Sequence, residues 1–409
     1  MMMALIPLFD ENMAVKAYSV FSQKDNVFLN PMKIGTGQFD GAAAVEGLEL
    51  IESMGIETIS EDKEIFVPVT NISVFSDLEA QCSAPHERLV LLLDNSIPPV
   101  EMYVERLRQL REKGYRLAVR KLAVVEFESY REILKLVDYI FLNSQKIAID
   151  KAKIYFGKLY PHIKLCAGNI STMESFEALK ASGGYRLYEG GFYRVPIARG
   201  EHEVAPLKVN YIELLNLVNS EDFEVADAAQ VIGRDTALTI SLLKMVNRMT
   251  VNSGITTIRY AAAMLGQAEL RKWINTAVVN ELYADKPNEV TRTSLLRAKF
   301  AESLAQDFGL GARSEELFLM GLFSVLDVIL EEPMVEALKK VTVSEGVRDA
   351  LVGHTGALAP VLELIVQYEL ANWQEVSRLL LMDRVEVDTV STAYQEALKW
   401  YRTLMAKEK

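Results

Sequence analysis

The chain contains 409 residues, of which 50% are hydrophobic and 24% are charged, and its formal net charge is -12. This length favours two domains, and the composition is typical of a globular protein. The negative charge argues against nucleic acid as a partner, because neutralising phosphates requires clustered Lys and Arg.

The sequence predicts a cytoplasmic protein that has no contact with a membrane. Cys82 and Cys166 provide neither a disulfide framework nor zinc-ligand spacing, and they are typical of a reducing compartment. The first residues, MMMALIPLFDEN, lack the basic start of a signal peptide. No apolar run approaches the roughly 18 residues of a membrane-spanning helix.

Short β-rich runs alternate with amphipathic helical runs in the first half of the chain. We predict strands at 5–9, 15–21, 65–70, 89–93, 116–119, 139–142, 163–167 and 185–188, and helices at 42–54, 100–113, 130–136, 144–156 and 173–182. This alternation indicates βαβ units, and seven or eight strands over about 200 residues favour an α/β fold of the (β/α)8 barrel type.

The start of the barrel has its own signature. Asp10-Glu11-Asn12 is a turn signal, so we expect the first two strands to pair antiparallel. An open doubly wound sheet is the alternative fold, although the sequence lacks the Gly-rich turn of a dinucleotide-binding domain.

The second half of the chain has a helical period. A short charged segment, 197–208, is bounded by prolines and is predicted to be the linker, which gives domains at 1–203 and 204–409. Asp235 is placed to cap the first clear helix, and Gly266 is placed to end another. The predicted helices are 236–249, 258–265, 267–282, 293–308, 315–330 and 335–340.

Few of the residues that follow the predicted strands are acidic. Barrel enzymes place catalytic groups at the carboxyl ends of their strands, and a two-metal hydrolase needs several carboxylates there. Asp94 is the one acidic residue at these positions, whereas Arg120 and Lys121 would repel a divalent cation. Two interpretations remain: the barrel has lost its site, or it binds an anion through Arg120 and Lys121.

The helical half lacks the motif of a metal-dependent HD phosphohydrolase. Such enzymes need a His–Asp dipeptide and further His ligands. None of the four histidines, which are His86, His162, His202 and His354, is followed by Asp. The sequence also contains no Gly-x-Ser-x-Gly elbow and no phosphate-binding P-loop. We therefore expect no metal, no other cofactor and no catalytic activity.

The first half resembles the EAL domain, in segments 6–10, 17–21, 114–118, 137–140 and 190–196. Active EAL domains hydrolyse cyclic di-GMP on a barrel with two divalent metals. The resemblance implies that the positions of the family's metal ligands and catalytic groups are occupied here by Ser19, Leu92, Arg120, Lys121, Phe141, Asn143 and Gly168. Nearly every metal ligand would then be missing.

The second half resembles the HDOD domain, a helical relative of HD hydrolases without their His–Asp pair. The matching segments include 235–239, 242–247, 270–273 and 318–324. The resemblance therefore spans essentially the whole chain and points to the EAL–HDOD fusion family. Asn247 and Trp273 are candidates for an interaction surface, the alternative being an internal hydrogen bond and a core anchor.

The resemblance implies a non-catalytic bacterial signalling or scaffold protein that acts through protein partners. The partner is not identified by sequence, and the helical module could equally self-associate as a homodimer. Two alternatives stay open. One is a sensor that binds cyclic di-GMP or another anion without hydrolysis, and the other is a cyclic di-GMP phosphodiesterase with a relocated site.

Overall fold

A computed structural model describes residues 1–23, 44–195, 206–220, 222–233, 235–249, 255–282 and 288–406. The chain divides into two compact units. The first contains Met1–Val195 and Glu363–Lys399, and the second contains Pro196–Leu362 and Trp400–Lys409. The predicted linker, 197–208, lies largely outside the described residues.

The first unit is built on a closed barrel. Its strands are β1 Met2–Phe9, β2 Val15–Gln23, β3 Glu64–Pro68, β4 Leu89–Leu93, β5 Arg116–Val119, β6 Tyr139–Asn143, β7 Lys164–Ile170 and β8 Leu187–Gly190. They follow one another around the barrel in chain order. The predicted barrel is therefore confirmed, and the alternative of an open sheet is wrong because β1 pairs with β8.

The first strand runs opposite to its neighbours. β1 is antiparallel to both β2 and β8, as the turn signal predicted for the first pair. The Asp10 carboxylate accepts the N–H groups of Asn12 and Ala14 at 2.8 and 3.0 Å, which fixes the turn. Short polar side chains favour such turns because they bond to their own backbone.

The barrel interior follows from the two-residue period of a strand. A buried cluster of mostly apolar residues fills it, namely Leu8, Ala17, Phe66, Val90, Leu92, Ala118, Tyr139, Phe141, Cys166 and Leu187. Residues two positions further along a strand face the same side. Ser19, Arg120 and Glu189 therefore also face inward, at or toward the carboxyl ends of β2, β5 and β8.

Polar side chains close the amino end of the barrel. Glu64 forms an ion pair with Arg116 and accepts a hydrogen bond from the Tyr139 hydroxyl at 3.1 Å. Lys164 donates to the same hydroxyl at 3.3 Å. Burial, and then the Glu64 charge, raise the pKa of Tyr139, so this hydroxyl stays protonated. The layer satisfies its own polar groups and leaves the carboxyl end as the open end.

Short helices connect the strands: α1 Glu46–Met54, α2 Ile56–Ser60, α3 Leu78–Gln81, α4 Glu101–Glu112, α5 Arg131–Leu134, α6 Ile149–Leu159 and α7 Met173–Ser182. Residues 42 and 43 of the first predicted helix lie outside the described residues. The helix predicted at 144–156 starts later, because the N–H groups of Lys146 and Ile147 bond to the carbonyl of Asn143 in a turn.

The second unit is helical in the residues that the structure describes. Its helices are α8 Pro206–Val218, α9 Val225–Ile232, α10 Thr236–Met249, α11 Ile258–Leu282, α12 Asn288–Ser303, α13 Ser314–Phe323, α14 Leu326–Leu330, α15 Met334–Ala337 and α16 Glu345–Arg348. Gly266 has φ 75° inside α11, so the helix breaks where the sequence predicted a stop. Asp235 accepts the Leu238 N–H at 2.9 Å, as expected of a cap.

The last three helices are α17 Ala359–Glu369, α18 Trp373–Asp383 and α19 Val387–Ala406. The sequence placed all of them in the second domain, 204–409, whereas the structure assigns Glu363–Lys399 to the unit that contains the barrel. The Tyr368 hydroxyl accepts the Met3 N–H at 2.9 Å, and Arg194 pairs with Glu369 at 2.8 Å. Helical periodicity identifies a helix but does not show which core it joins.

Candidate binding site at the barrel mouth

A cavity of about 390 Å³ opens at the carboxyl ends of β5 to β8. Arg120, Phe141, Asn143, Gly168 and Glu189 line it, together with residues of the loops that follow the strands. The strand ends bring these side chains together because parallel strands of a barrel end at the same rim.

An ion pair between Arg120 and Glu189 spans the mouth. Nη2 of Arg120 lies 3.4 Å from Oε1 of Glu189, and the two side chains are 20% and 10% exposed. The Arg120 guanidinium also lies over the rings of Phe21 and Phe141, at 5.1 and 5.9 Å from their centroids. Burial raises the pKa of Glu189, and the Arg120 charge offsets part of that rise.

The ion pair leaves hydrogen-bonding capacity unused. Nη1 of Arg120 and Oε2 of Glu189 are buried and have no partner among the described residues. The hydroxyl of Ser19 is also fully buried and has no hydrogen-bond partner among the described residues. Buried polar groups are usually paired, and an unpaired one costs about 1–3 kcal/mol. Arg120 and Glu189 line the cavity, so their two unpaired atoms are candidate contacts for a ligand.

Lys121 lies at the rim of the cavity, and its side chain is more exposed than that of Arg120. Its backbone is left-handed, with φ 63°, and its side chain is 63% exposed. Its ammonium pairs with Asp94 at 3.2 Å. Burial of Asp94 opposes ionisation, but hydrogen bonds from Ser96 and Lys121 hold the pKa of Asp94 below its usual value. Of the predicted basic pair, Arg120 alone enters the barrel.

The remaining predicted positions divide into two groups. Phe141, Asn143 and Gly168 line the cavity, whereas Ser19 and Leu92 are buried and do not line it. The Asn143 side chain accepts the Gln145 N–H at 3.0 Å and so stabilises its own turn. Phe141, Asn143 and Gly168 therefore share one cavity, while the role of each predicted position as a former ligand position stays a prediction.

The residues of the mouth do not fit the two divalent metals that the EAL resemblance implies. The Arg120 guanidinium brings positive charge to the rim, and Glu189, the inward carboxylate at this end of the barrel among the described residues, is paired with it. Across the described ranges, no three His, Cys, Asp or Glu side chains are grouped so that they could hold a metal ion.

The sequence analysis missed Glu189 and the ring of Phe21. The last strand was predicted to end at residue 188, one position before Glu189, whereas β8 extends to Gly190. The two-residue period was the available signal, since Leu187 points inward and Glu189 must follow it. No sequence signal placed Phe21 beside Arg120.

The two candidate interaction residues lie in the second unit. Nδ2 of Asn247 donates to the Ile255 carbonyl at 2.9 Å, and its Oδ1 accepts the Ile255 N–H at 2.7 Å. These are the internal hydrogen bonds of the alternative interpretation. Trp273 is half-buried on α11. An interaction role for either residue stays a prediction.

None of the described helices combines the length and the apolar character that crossing a membrane requires.

Comparisons with known proteins find relatives along most of the chain and a family model in its helical half. The family model described as the HDOD domain matches residues 204–347. The protein YuxH of Bacillus subtilis, which is uncharacterized, is 26% identical over 98% of this chain and 97% of its own length. CdgJ of Vibrio cholerae, named as a cyclic di-GMP phosphodiesterase, is 26% identical over 77% of this chain and 74% of its own length.

Solved structures of EAL proteins align with part of the chain. The EAL enzyme Bd1971, in a form bound to cAMP and cyclic di-GMP, gives a TM-score of 0.35 at 13% identity, over 46% of this chain and 60% of its own. The EAL-like domain protein YdiV gives 0.38 at 14% identity, over 46% of this chain and 88% of its own. The closed barrel and the match of residues 204–347 to the HDOD domain together give the chain the barrel-plus-HDOD organisation that its resemblance to EAL–HDOD proteins predicted.

Proposed function

We propose that this chain is a non-catalytic bacterial signalling protein that acts through protein partners. One observation carries the proposal: the guanidinium of Arg120 lies at the open end of the barrel, between the rings of Phe21 and Phe141 and against Glu189. In a metal-dependent hydrolase of this fold, the same end would hold the metals.

The charge of Arg120 opposes metal binding. Two unit charges 4 Å apart interact by about 4 kcal/mol at an effective dielectric of about 20, and a divalent ion doubles this figure. Glu189, a single carboxylate already paired with Arg120, offers one ligand at most. The competing proposal is a phosphodiesterase, the activity in the name of the Vibrio cholerae relative.

Manganese should not bind at the mouth. We expect the electron paramagnetic resonance signal of free Mn²⁺ to be unchanged when the protein is added, because Arg120 repels the ion and too few oxygen ligands converge. Glu189→Gln serves as the matched variant. Stoichiometric Mn²⁺ binding to the wild type that disappears in Glu189→Gln would contradict the proposal.

The loops around the mouth support a protein partner. Six large apolar side chains are exposed on the loops and helix starts that follow β3, β4 and β5, namely Ile72, Phe75, Val100, Met102, Val124 and Val125. Val125 is 88% exposed. These side chains all follow strands that end at the same rim of the barrel, and apolar exposure concentrated at one end of a protein often marks an interaction surface. Val125→Asp should capture less of such a partner from a native lysate than the wild type does. Equal capture by the two proteins would contradict this role.

A ligand sensor is the second candidate function. Two observations favour a ligand sensor over a barrel whose interior is fully occupied by side chains. They are the cavity of about 390 Å³ and Nη1 of Arg120, which has no partner among the described residues. Calorimetry with cyclic di-GMP tests the nucleotide version of this proposal. Absence of heat at high micromolar concentration would reject that nucleotide.

A further inference from the structure

We propose that the barrel mouth binds a small zwitterion of the α-amino acid class, with Arg120 holding the carboxylate and Glu189 holding the ammonium group. The proposal depends on the second candidate function, in which the mouth binds a ligand, and it changes the class of ligand from an anion to a zwitterion.

The geometry of the ion pair leaves one donor and one acceptor free. A bidentate Arg–carboxylate pair uses two N–H groups and both oxygens. Here a single contact of 3.4 Å joins Nη2 to Oε1, while Nη1 of Arg120 and Oε2 of Glu189 remain buried without a partner among the described residues. A ligand that carries an acceptor beside a charged N–H donor satisfies both atoms.

Charge balance disfavours a bare anion. An anion at Arg120 would lie close to the Glu189 carboxylate, and the repulsion would offset much of the attraction to the guanidinium. Lys121 adds little, because Asp94 already holds its ammonium at 3.2 Å. Lys146 lines the cavity as well, and its side chain is exposed. Among the described residues, the deep part of the site therefore holds one charge of each sign.

The rest of the cavity is suited to an aliphatic side chain. Leu122, Val124, Phe141 and Ile147 contribute to its lining. A volume of about 390 Å³ lies within the range of small-molecule pockets, which is roughly 300–1,000 Å³. Branched aliphatic amino acids combine this apolar body with adjacent opposite charges.

Three matched compounds separate the ligand classes by calorimetry on the full chain. L-leucine carries both charges, 4-methylpentanoate lacks the amine and 3-methylbutylamine lacks the carboxylate. We expect L-leucine to bind at least about tenfold more tightly than either analogue, which corresponds to about 1.4 kcal/mol. Equal binding of L-leucine and 4-methylpentanoate, or no binding of L-leucine, would overturn the proposal.

Glu189→Gln tests the assignment of the two charges. The substitution keeps the shape of the side chain and removes its charge, so L-leucine binding should weaken at least about tenfold while binding of 4-methylpentanoate should not weaken. Arg108→Gln, on the exposed face of α4, is the control and should bind L-leucine as the wild type does. Unchanged L-leucine binding in Glu189→Gln would overturn the assignment.

The outcome is separable from that of the proposed functions. If the chain binds cyclic di-GMP but does not bind L-leucine, the sensor function is supported and the zwitterion site is refuted. Hydrolysis of cyclic di-GMP would contradict the non-catalytic proposal whatever L-leucine does.

Discussion

Residues 1–203 alone, which lack Glu363–Lys399, are not expected to form a stable barrel, although its eight strands all lie before residue 191. Glu363–Lys399 belong to the same compact unit as the barrel. The segment buries large apolar side chains completely or nearly so, among them Leu364, Ile365, Tyr368, Val376 and Leu398. Each fully buried side chain of this kind contributes about 1.5–3 kcal/mol, so the loss of these contacts is comparable to the whole stability of an ordinary domain, about 5–15 kcal/mol.

A single atom in this segment provides a milder test. Tyr368 is fully buried, and its hydroxyl accepts the Met3 N–H at the start of β1. Tyr368→Phe leaves that N–H unpaired and should lower the free energy of unfolding by about 1–3 kcal/mol. Tyr103→Phe, at a half-buried position on α4, is the control and should change it little.

Circular dichroism and thermal melting provide the measurements. We expect residues 1–203 alone to show no cooperative transition, and Tyr368→Phe to melt below the Tyr103→Phe control. A shortened chain, 1–203, that melts cooperatively at the temperature of the full chain would show that the last helices are dispensable. It would also agree with the domain boundary predicted from sequence, 1–203 and 204–409.

Gly190→Ala is expected to destabilise the barrel where β8 passes β7. A Cβ atom at Gly190 would lie 1.9 Å from the carbonyl oxygen of Ile170, a backbone atom that cannot move aside. Overpacking of a rigid contact typically costs about 1–3 kcal/mol and sometimes more. Because Gly190 follows Glu189 directly, the strain should also displace the carboxylate of the mouth.

The neighbouring glycine offers a matched control. A Cβ atom at Gly191 would meet no atom within 4 Å. Gly191→Ala should therefore be neutral or slightly stabilising, because alanine restricts the unfolded chain. Melting temperatures of the two variants compare the positions directly. Equal stability of Gly190→Ala and Gly191→Ala would mean that β7 and β8 do not approach as closely as described.

The barrel was predictable because its signals are local. Each strand is a short β-rich run between breaks, and the Asp10 turn fixed the antiparallel start. The inward direction of Arg120 follows from the two-residue period once Ala118 is placed in the core. Its contacts with Phe21 and Glu189 join strands that are far apart in sequence, and no local pattern reports them.

The end of the helical half, in contrast, depends on contacts that local sequence signals do not report. Residues 363–399 continue the helical period of the second half without a break in composition, so the sequence assigned them to it. Their partners in the barrel unit are distant in sequence. Met3, whose N–H donates to the Tyr368 hydroxyl, lies 365 residues away along the chain. Only tertiary packing distinguishes the two assignments.

Hydrolysis of cyclic di-GMP tests the central claim most directly. The purified full chain, in excess over the nucleotide, should form no more linear product with Mn²⁺ or Mg²⁺ than buffer does, because the charge of Arg120 at the open end of the barrel opposes the binding of a divalent metal. The Vibrio cholerae relative CdgJ is the positive control for the assay. Metal-dependent hydrolysis that increases in proportion to the protein would contradict the account.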